Sequence, residues 1–518
     1  MRHPRPDEAG RASDPGRSGE PVAPAGITPR LVLGIDLGSS SAKAVLADED
    51  GRIVARASVP QHVSRPEPGA AEQAASEWWD AVRALIAATV GAGSVAGASG
   101  LGVIAGVSIS GHCPTLLLAD GAGEPLAPAL LYADQRADAQ VERAAMLGGE
   151  DLAGDEWLPK LLWLADERPD LLRRARMLFN PHDHVAFRLT GARGLDHRSA
   201  RRAGGLLDPG LLAWRPDVCA VADLDLAALP PLRRAGEVLG SVTVGAAAET
   251  GLPPGTPVVV ALYDTPAELV GAGVVTPGQA LLYYGTTTSV DVCTHPFEAY
   301  LRDPAPIVDW APYREVAYAV LGPALPWVAA GIEPAVPGSA PPDLAPLDAA
   351  ASRIAPTLAD PYVVPHFLAH ARPGRPVRLP AIVGLDADHS RADLHRAVLE
   401  SYGFAARAGL EAAGYDPSRM ELIATGGGAR SAFWRQLVTD ILGAGQRWRP
   451  MVDAAAGSAA LAAWGTCGAD AFSPGGWSRD EAAVLTSPDP ARRHVEDQRY
   501  RTWLRLRDAV DGALAPGR

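Results

Sequence analysis

The sequence predicts a mixed α/β protein made of two related halves. Three observations carry that expectation. Strand-like apolar runs alternate with stretches of helical spacing along the chain. The segment VLGIDLGSSSAKAVL in the first half is echoed by QALLYYGTTTSVDVC at 279–293, each a strand, a small hydroxyl-rich turn and a strand. The length of 518 residues, at about 150 residues per domain, makes two large units or three to four smaller ones.

The elements follow in order. Residues 1–27, rich in Pro, Gly and charge and lacking an apolar stretch of signal-peptide type, predict a flexible leader. LVLGIDLG at 31–38, SSSAKAVLAD at 39–48 and RIVARASV after the EDG turn predict a three-strand meander. Trp78, Val82, Leu85 and Ile86 recur at helical spacing between Ala74 and Val90, so Trp78 and Trp79 are expected in core packing, with a stacking platform for a sugar or base as the alternative. VIAGVSIS at 103–110 is a strand, followed by the loop GHCPT and a short strand; LPKLLWLADERPD is helical, and AFRLTG ends a helix on its glycine. The turn-rich stretch 224–257 predicts a crossover between domains, with the boundary at 250. A second domain over 251–490 then opens on TPVVVALYD and a helix, and 491–518 forms a terminal helix and tail. The proline-studded region 296–380 predicts loops, short strands and a helix. The helical stripe 390–414, the strand and glycine loop ELIATGGG, another helix, and the small-residue helix AAAGSAALAAWG, able to pack very closely, complete the chain.

Composition narrows the function. Apolar residues at 47% against 21% charged exclude a disordered chain, and a net charge of −13 gives no steering toward nucleic acid. No strongly apolar 18-residue run predicts a membrane span, so no membrane partner and a cytoplasmic location are expected. The four cysteines, without CxxC or His/Cys clustering, suit a reducing compartment and argue against a thiolate zinc site. Only two lysines occur, Lys43 and Lys160, and none stands in a GxxxxGK arrangement; a dinucleotide GxGxxG is also absent after any strand. Phosphate binding must then draw on Mg²⁺, backbone N–H groups, hydroxyls or arginine.

Three turns could do that. Asp36 ends a strand beside Gly38, Ser39, Ser40 and Ser41; it could close a local hairpin or hold Mg²⁺ with phosphate oxygens. Gly285, Thr286 and Thr287 repeat the device, and Gly426, Gly427 and Gly428 before Arg430 let backbone approach a ligand. Asp264, after VVVALY and before Thr265–Pro266, is either a helix-start cap or a general base. Glu72, Gln73, His112, Asp134 and Arg136 could bond sugar hydroxyls, or be satisfied structural groups.

With these pieces in order, together with YADQR, YYGTTTS and TGGGARSAFWRQLVTDILG, the chain resembles the FGGY family of carbohydrate kinases over about residues 29–485, in general pattern its xylulokinase branch. The resemblance implies two RNase H-like domains of actin/hexokinase type around a central cleft, ATP and Mg²⁺ as cofactors, and transfer of the γ-phosphate to a sugar or polyol, with a homodimer left open. It implies Asp264 as catalytic base and acceptor contact, Asp36 as the metal residue, and Gly38, Ser39, Ser40, Lys43, Gly285, Thr286, Thr287, Gly426, Gly427, Gly428 and Arg430 on the nucleotide side. Glu72, Gln73, His112, Asp134 and Arg136 fall to the sugar side. Four departures from the pattern point to a changed acceptor. His112–Cys113–Pro114 stands where Gln-Met-His is usual, Tyr132 where a tryptophan is, Tyr263 where a glycine often is, and Gly374–Arg375–Pro376 where GER precedes the proline; Trp157 also replaces a small residue or proline. Glycerol, gluconate, ribulose, fuculose or a tetritol are the alternative acceptors, and a catalytically silent sugar or nucleotide sensor is the alternative outside enzymes.

Overall fold

A computed structural model describes residues 30–48, 50–95, 103–148, 152–208, 210–285, 287–304, 312–332, 342–365, 380–468, 477 and 483–514. The leader, Thr286 and residues 374–376 lie outside the described residues.

The first lobe is built on a six-stranded sheet whose spatial order is Val238–Ser241, Pro257–Val259, Val103–Gly111, Arg30–Leu37, Ser41–Asp48, Ile53–Pro60. The last three strands are the expected antiparallel meander, and Val103–Gly111 lies parallel to Arg30–Leu37. Period-two alternation sorts the first strand. Leu33 and Ile35 pack toward the helix Ala75–Val95 with Trp78, Val82 and Leu85, while Val32 faces the opposite side with Ala455, Ala459 and Ala462. Gly34 and Asp36 share the face of Val32 by the same alternation. Trp78 and Trp79 are core residues, as expected.

Two of these strands correct the sequence reading. Val238–Ser241 and Pro257–Val259 belong to the first sheet, the latter parallel to Val103–Gly111. The stretch 224–257 is therefore not a crossover, and the division between lobes falls beyond residue 259, not at 250. Its many turns connect short edge elements of one sheet, and turn density alone does not distinguish these from a linker.

The second lobe repeats the plan with the order Tyr313–Val320, Thr287–Cys293, Gln279–Tyr284, Glu421–Thr425, Gln446–Trp448, Val484–Thr486. Again a hairpin leads, and the next strand, Glu421–Thr425, runs parallel to the first. Leu282, Tyr284, Val290 and Val292 meet the helices Arg391–Ala412 and Ala432–Leu442. The eight-residue strand Tyr313–Val320 was missed because it lies among prolines and pairs only with Thr287–Cys293.

The C-terminal helix Arg493–Leu514 is part of this lobe, not a separate tail. Glu400 lies between Arg396 and Arg499, at 2.6 Å from each, with all three side chains at most 2% exposed, and Trp503 donates to the Val363 carbonyl. An all-ionic contact this deep requires that every partner be present.

Between the lobes lie two short helices that cross at glycines. Asp264–Gly271 meets Ala454–Cys467 where a Cβ on Gly271 would lie 2.8 Å from Gly457 N. The second of these comes from the C-terminal part of the chain, yet it covers the first lobe's sheet at Val32 and Val45. The close packing expected of AAAGSAALAAWG is what lets one helix serve both halves.

Candidate active site

The lobes enclose a cleft of about 2020 Å³. Asp264 is the first residue of its helix and lines this cleft, with its Oδ1 accepting from the Thr265 N–H at 2.8 Å. One turn on, Glu268 lines the same wall, since residues four apart share a helix face. Across from them stand Asp36, at the end of the strand Arg30–Leu37, and Asp453, which caps the helix Ala454–Cys467 by accepting from Ala456 N–H.

Asp36, Asp264, Glu268 and Asp453 line the same cleft as Lys43, and the titration of the first three reflects their burial and mutual proximity. Burial, with the Asp36 charge adding, raises Asp264 to about 7. Burial and the nearby Asp453 raise Asp36 to about 6 against the pull of Lys43 and the Ser110 hydroxyl, which donates at 3.0 Å. Burial raises Glu268 to about 8, with Asp453 and Asp36 contributing. All three hold protons more tightly folded than unfolded. Their stabilising contribution is complete below pH about 4 and is lost as pH rises through about 6 to 8. The empty protein should therefore show a melting temperature that falls between pH 5 and 8.5; differential scanning calorimetry without divalent cation checks this, and a flat profile would contradict the clustering.

Of the nucleotide-side residues expected from sequence, Gly38, Ser39, Ser40, Lys43, Thr287, Gly427, Gly426 and Arg430 line the cleft. Gly426 has φ +90°, and a Cβ there would run into the Tyr284 carbonyl, while Gly427 faces open space. Gly428 and Gly285 do not line it. A Cβ on Gly428 would strike the Trp434 ring, so this glycine is a packing position.

Glu72, Gln73, His112, Asp134 and Arg136 are not among the cleft's lining residues and bond chiefly one another. Arg136 bridges Glu72 at 2.6 Å, Asp134 at 2.7 Å and Glu67 at 3.0 Å, and its guanidinium lies 4.8 Å from the Trp163 ring centroid. Asp134 also accepts from Ala71 N–H. Gln73 Oε1 lies 3.0 Å from His112 Nε2 and accepts from Trp78 Nε1, while Gln73 Nε2 donates to the Ser39 carbonyl. Burial, with His182 and Lys160 nearby, lowers His112 to about 3, so the ring is neutral. Gln73 meets the cleft-lining Ser39 and His112 the cleft-lining Tyr132, and the hydroxyls of Ser39 and Tyr132 are 3.2 Å apart. Residue type was legible in sequence; which polar groups saturate one another was not.

The changed segment 112–115 is held from behind. Lys160, fully buried and lowered to about 8 chiefly by burial, donates to the Pro114 and Leu130 carbonyls, and Trp157 Nε1 donates to the Thr115 carbonyl at 2.8 Å. Cys113, Tyr132 and Tyr263 line the cleft. With them stand Asp155, Glu156, Arg198 and Arg202, none of which the sequence reading singled out; Glu268 and Asp453 were missed as well. Glu268 could have been found four residues after Asp264, and Asp453 as a capping aspartate before an alanine run.

Two sheets of one pattern, closing through paired helices on a cleft with carboxylates at its floor and glycine and hydroxyl turns at its rims, define a two-lobed kinase of actin/hexokinase type. The chain belongs to the FGGY family of carbohydrate kinases: the family's N-terminal domain matches residues 31–271 and its C-terminal domain residues 287–466. It is 30% identical over 434 residues to the xylulose kinase of Escherichia coli K12, covering 80% of this chain and 85% of that protein. To the L-xylulose/3-keto-L-gulonate kinase of the same organism it is 31% identical over 257 residues, 47% of this chain and 50% of that one. The crystal structure of xylulose kinase from Rhodospirillum rubrum superposes with a TM-score of 0.77 at 28% identity, over 94% of this chain and all of the other. The chain is therefore a xylulose kinase-like carbohydrate kinase that uses ATP as phosphate donor. Among the described residues no helix is long and apolar enough to cross a membrane.

Proposed function

We propose that this kinase uses Mg²⁺ with ATP to phosphorylate a hydroxyl of a sugar or polyol, with Asp264 as the general base. The observation that carries the reading is the position of Asp264 on the cleft wall, raised by burial to about 7, where it can accept a proton at working pH. The acceptor oxygen forms its bond to the γ-phosphorus as the bond to the bridging oxygen of ADP breaks, and its proton passes to the Asp264 carboxylate. The turns at Gly38–Ser40, Thr287 and Gly426–Gly427 orient the phosphates, and lobe closure excludes water.

The residues suit a hard cation. The donors are carboxylate oxygens, led by Asp36, and the acidic excess around Lys43 calls for positive charge. Among the described residues no three His, Cys, Asp or Glu side chains converge on one metal-binding point, so phosphates and water would complete the shell. Mg²⁺, when bound, neutralises charge on the transferring phosphates.

The test is acceptor-dependent ADP release over a panel of pentuloses, glycerol, gluconate, fuculose and tetritols, with and without EDTA. The expected result is phosphorylated product that EDTA abolishes. Thermal stabilisation by sugar with no product would assign the silent-sensor alternative instead. For a competent acceptor, kcat/KM should fall about tenfold per pH unit below an apparent pKa near 7, as the base becomes protonated. A limb near 4 would remove Asp264 from that role.

A further inference from the structure

Resting on the kinase reading, we infer that the acceptor carries a carboxylate and that Arg198 binds it, which makes this chain a kinase for sugar acids over neutral ketoses. The acceptor end of the cleft presents three arginines from one short segment, Arg198, Arg201 and Arg202, beside Tyr263 and the base Asp264. Arg202 is engaged, bridging Glu156 at 3.1 Å and Asp155 at 3.4 Å. Arg198 is not. It makes no ion pair or side-chain hydrogen bond among the described residues, and its Nε is buried without any partner.

Among the described residues no acid lies within ion-pair distance of it, although the Asp196 and Asp291 charges act on it at longer range. Asp196 caps the helix His197–Arg201, its Oδ1 accepting from Arg198 N–H at 2.9 Å and Ser199 N–H at 3.0 Å, while its Oδ2 is buried without a hydrogen-bond partner. Asp291, on the second lobe, accepts from the Ser289 hydroxyl at 2.8 Å. A half-buried guanidinium that lines the cleft without an ion pair leaves its terminal N–H groups to an acceptor from a ligand. A neutral hydroxyl satisfies one N–H, whereas a planar carboxylate can take two together and neutralise the charge. Cys113 and Tyr132 line the same cleft without adding a formal charge.

The experiment compares matched acceptors that differ only in carboxylate against hydroxymethyl: gluconate with glucitol, xylonate with xylitol, together with the neutral xyluloses and a sugar phosphate. Wild-type kcat/KM should favour the acid of each pair by about 10–100-fold. Arg198→Met should erase that preference by lowering kcat/KM for acids alone, and Arg198→Lys should restore part of it. Calorimetric binding of gluconate should weaken in parallel. Neutral acceptors favoured by wild type, a sugar phosphate favoured over the acids, or an Arg198→Met loss that falls equally on all acceptors or on KM for ATP would each overturn the assignment. Should no acceptor yield product, the kinase reading falls, while Arg198-dependent gluconate binding still decides the carboxylate claim.

Discussion

On the proposed role of Asp264, replacing it by asparagine should lower kcat by about 10³-fold or more, with ATP affinity changed by less than about threefold. Asparagine keeps the shape and can still accept the Thr265 N–H, but cannot receive the acceptor's proton. The same change removes a carboxylate that burial and Asp36 hold at about 7. Above that pH the wild-type group is charged beside Asp36, and the amide is not. The variant without ligands should therefore melt about 2–4 °C higher than wild type at pH 8.5, with the gap closing toward pH 5. Activity lost together with stability gained is a result that misfolding does not give. Retained turnover with a normal melting curve would remove Asp264 from the mechanism.

Substituting Gly34 by valine destabilises the protein by about 3 kcal/mol or more and lowers activity as well. A Cβ at Gly34 would run into the backbone of Ala455 and Ala459, with Ala459 Cα at 2.9 Å, and helix backbone cannot turn aside as a side chain can. The helix Ala454–Cys467 must lift from the sheet, and it carries Asp453 into the carboxylate cluster. As a control, Gly91→Ala on the helix Ala75–Val95 meets nothing within 4 Å and should be neutral or stabilising by up to about 1 kcal/mol. Equal melting temperatures for Gly34→Val and wild type, measured by calorimetry, would show that the helix is not held as described.

The hairpins and the long helices were readable because each rests on local periodicity: alternation in Arg30–Leu37 and Ser41–Asp48, and an apolar stripe in Arg391–Ala412. The place of Pro257–Val259 was not readable, because a three-residue strand carries too little pattern to say which sheet it joins. The same holds for the site. Asp36 and Asp264 each end an apolar run, a position that leads out of a core and into a cleft. Gln73 and His112 have the chemistry of sugar ligands, yet they lie 3.0 Å apart and spend their hydrogen bonds on each other and on neighbouring groups.

By itself the sequence determined two α/β lobes, the strand, turn and strand that opens each, and two aspartates, Asp36 and Asp264, that each end an apolar run, since residue type and spacing act through neighbours along the chain. Glu268 and Asp453 carry local signals, but only tertiary structure decided that Asp453 lines the cleft with Asp36 and that a helix from residues 454–467 covers the first lobe's sheet. It alone also decided that Arg198, which makes no ion pair among the described residues, lines the cleft. Those are contacts between segments tens to hundreds of residues apart, and whether a charge is paired depends on what folding brings within about 4 Å of it, which no local pattern encodes.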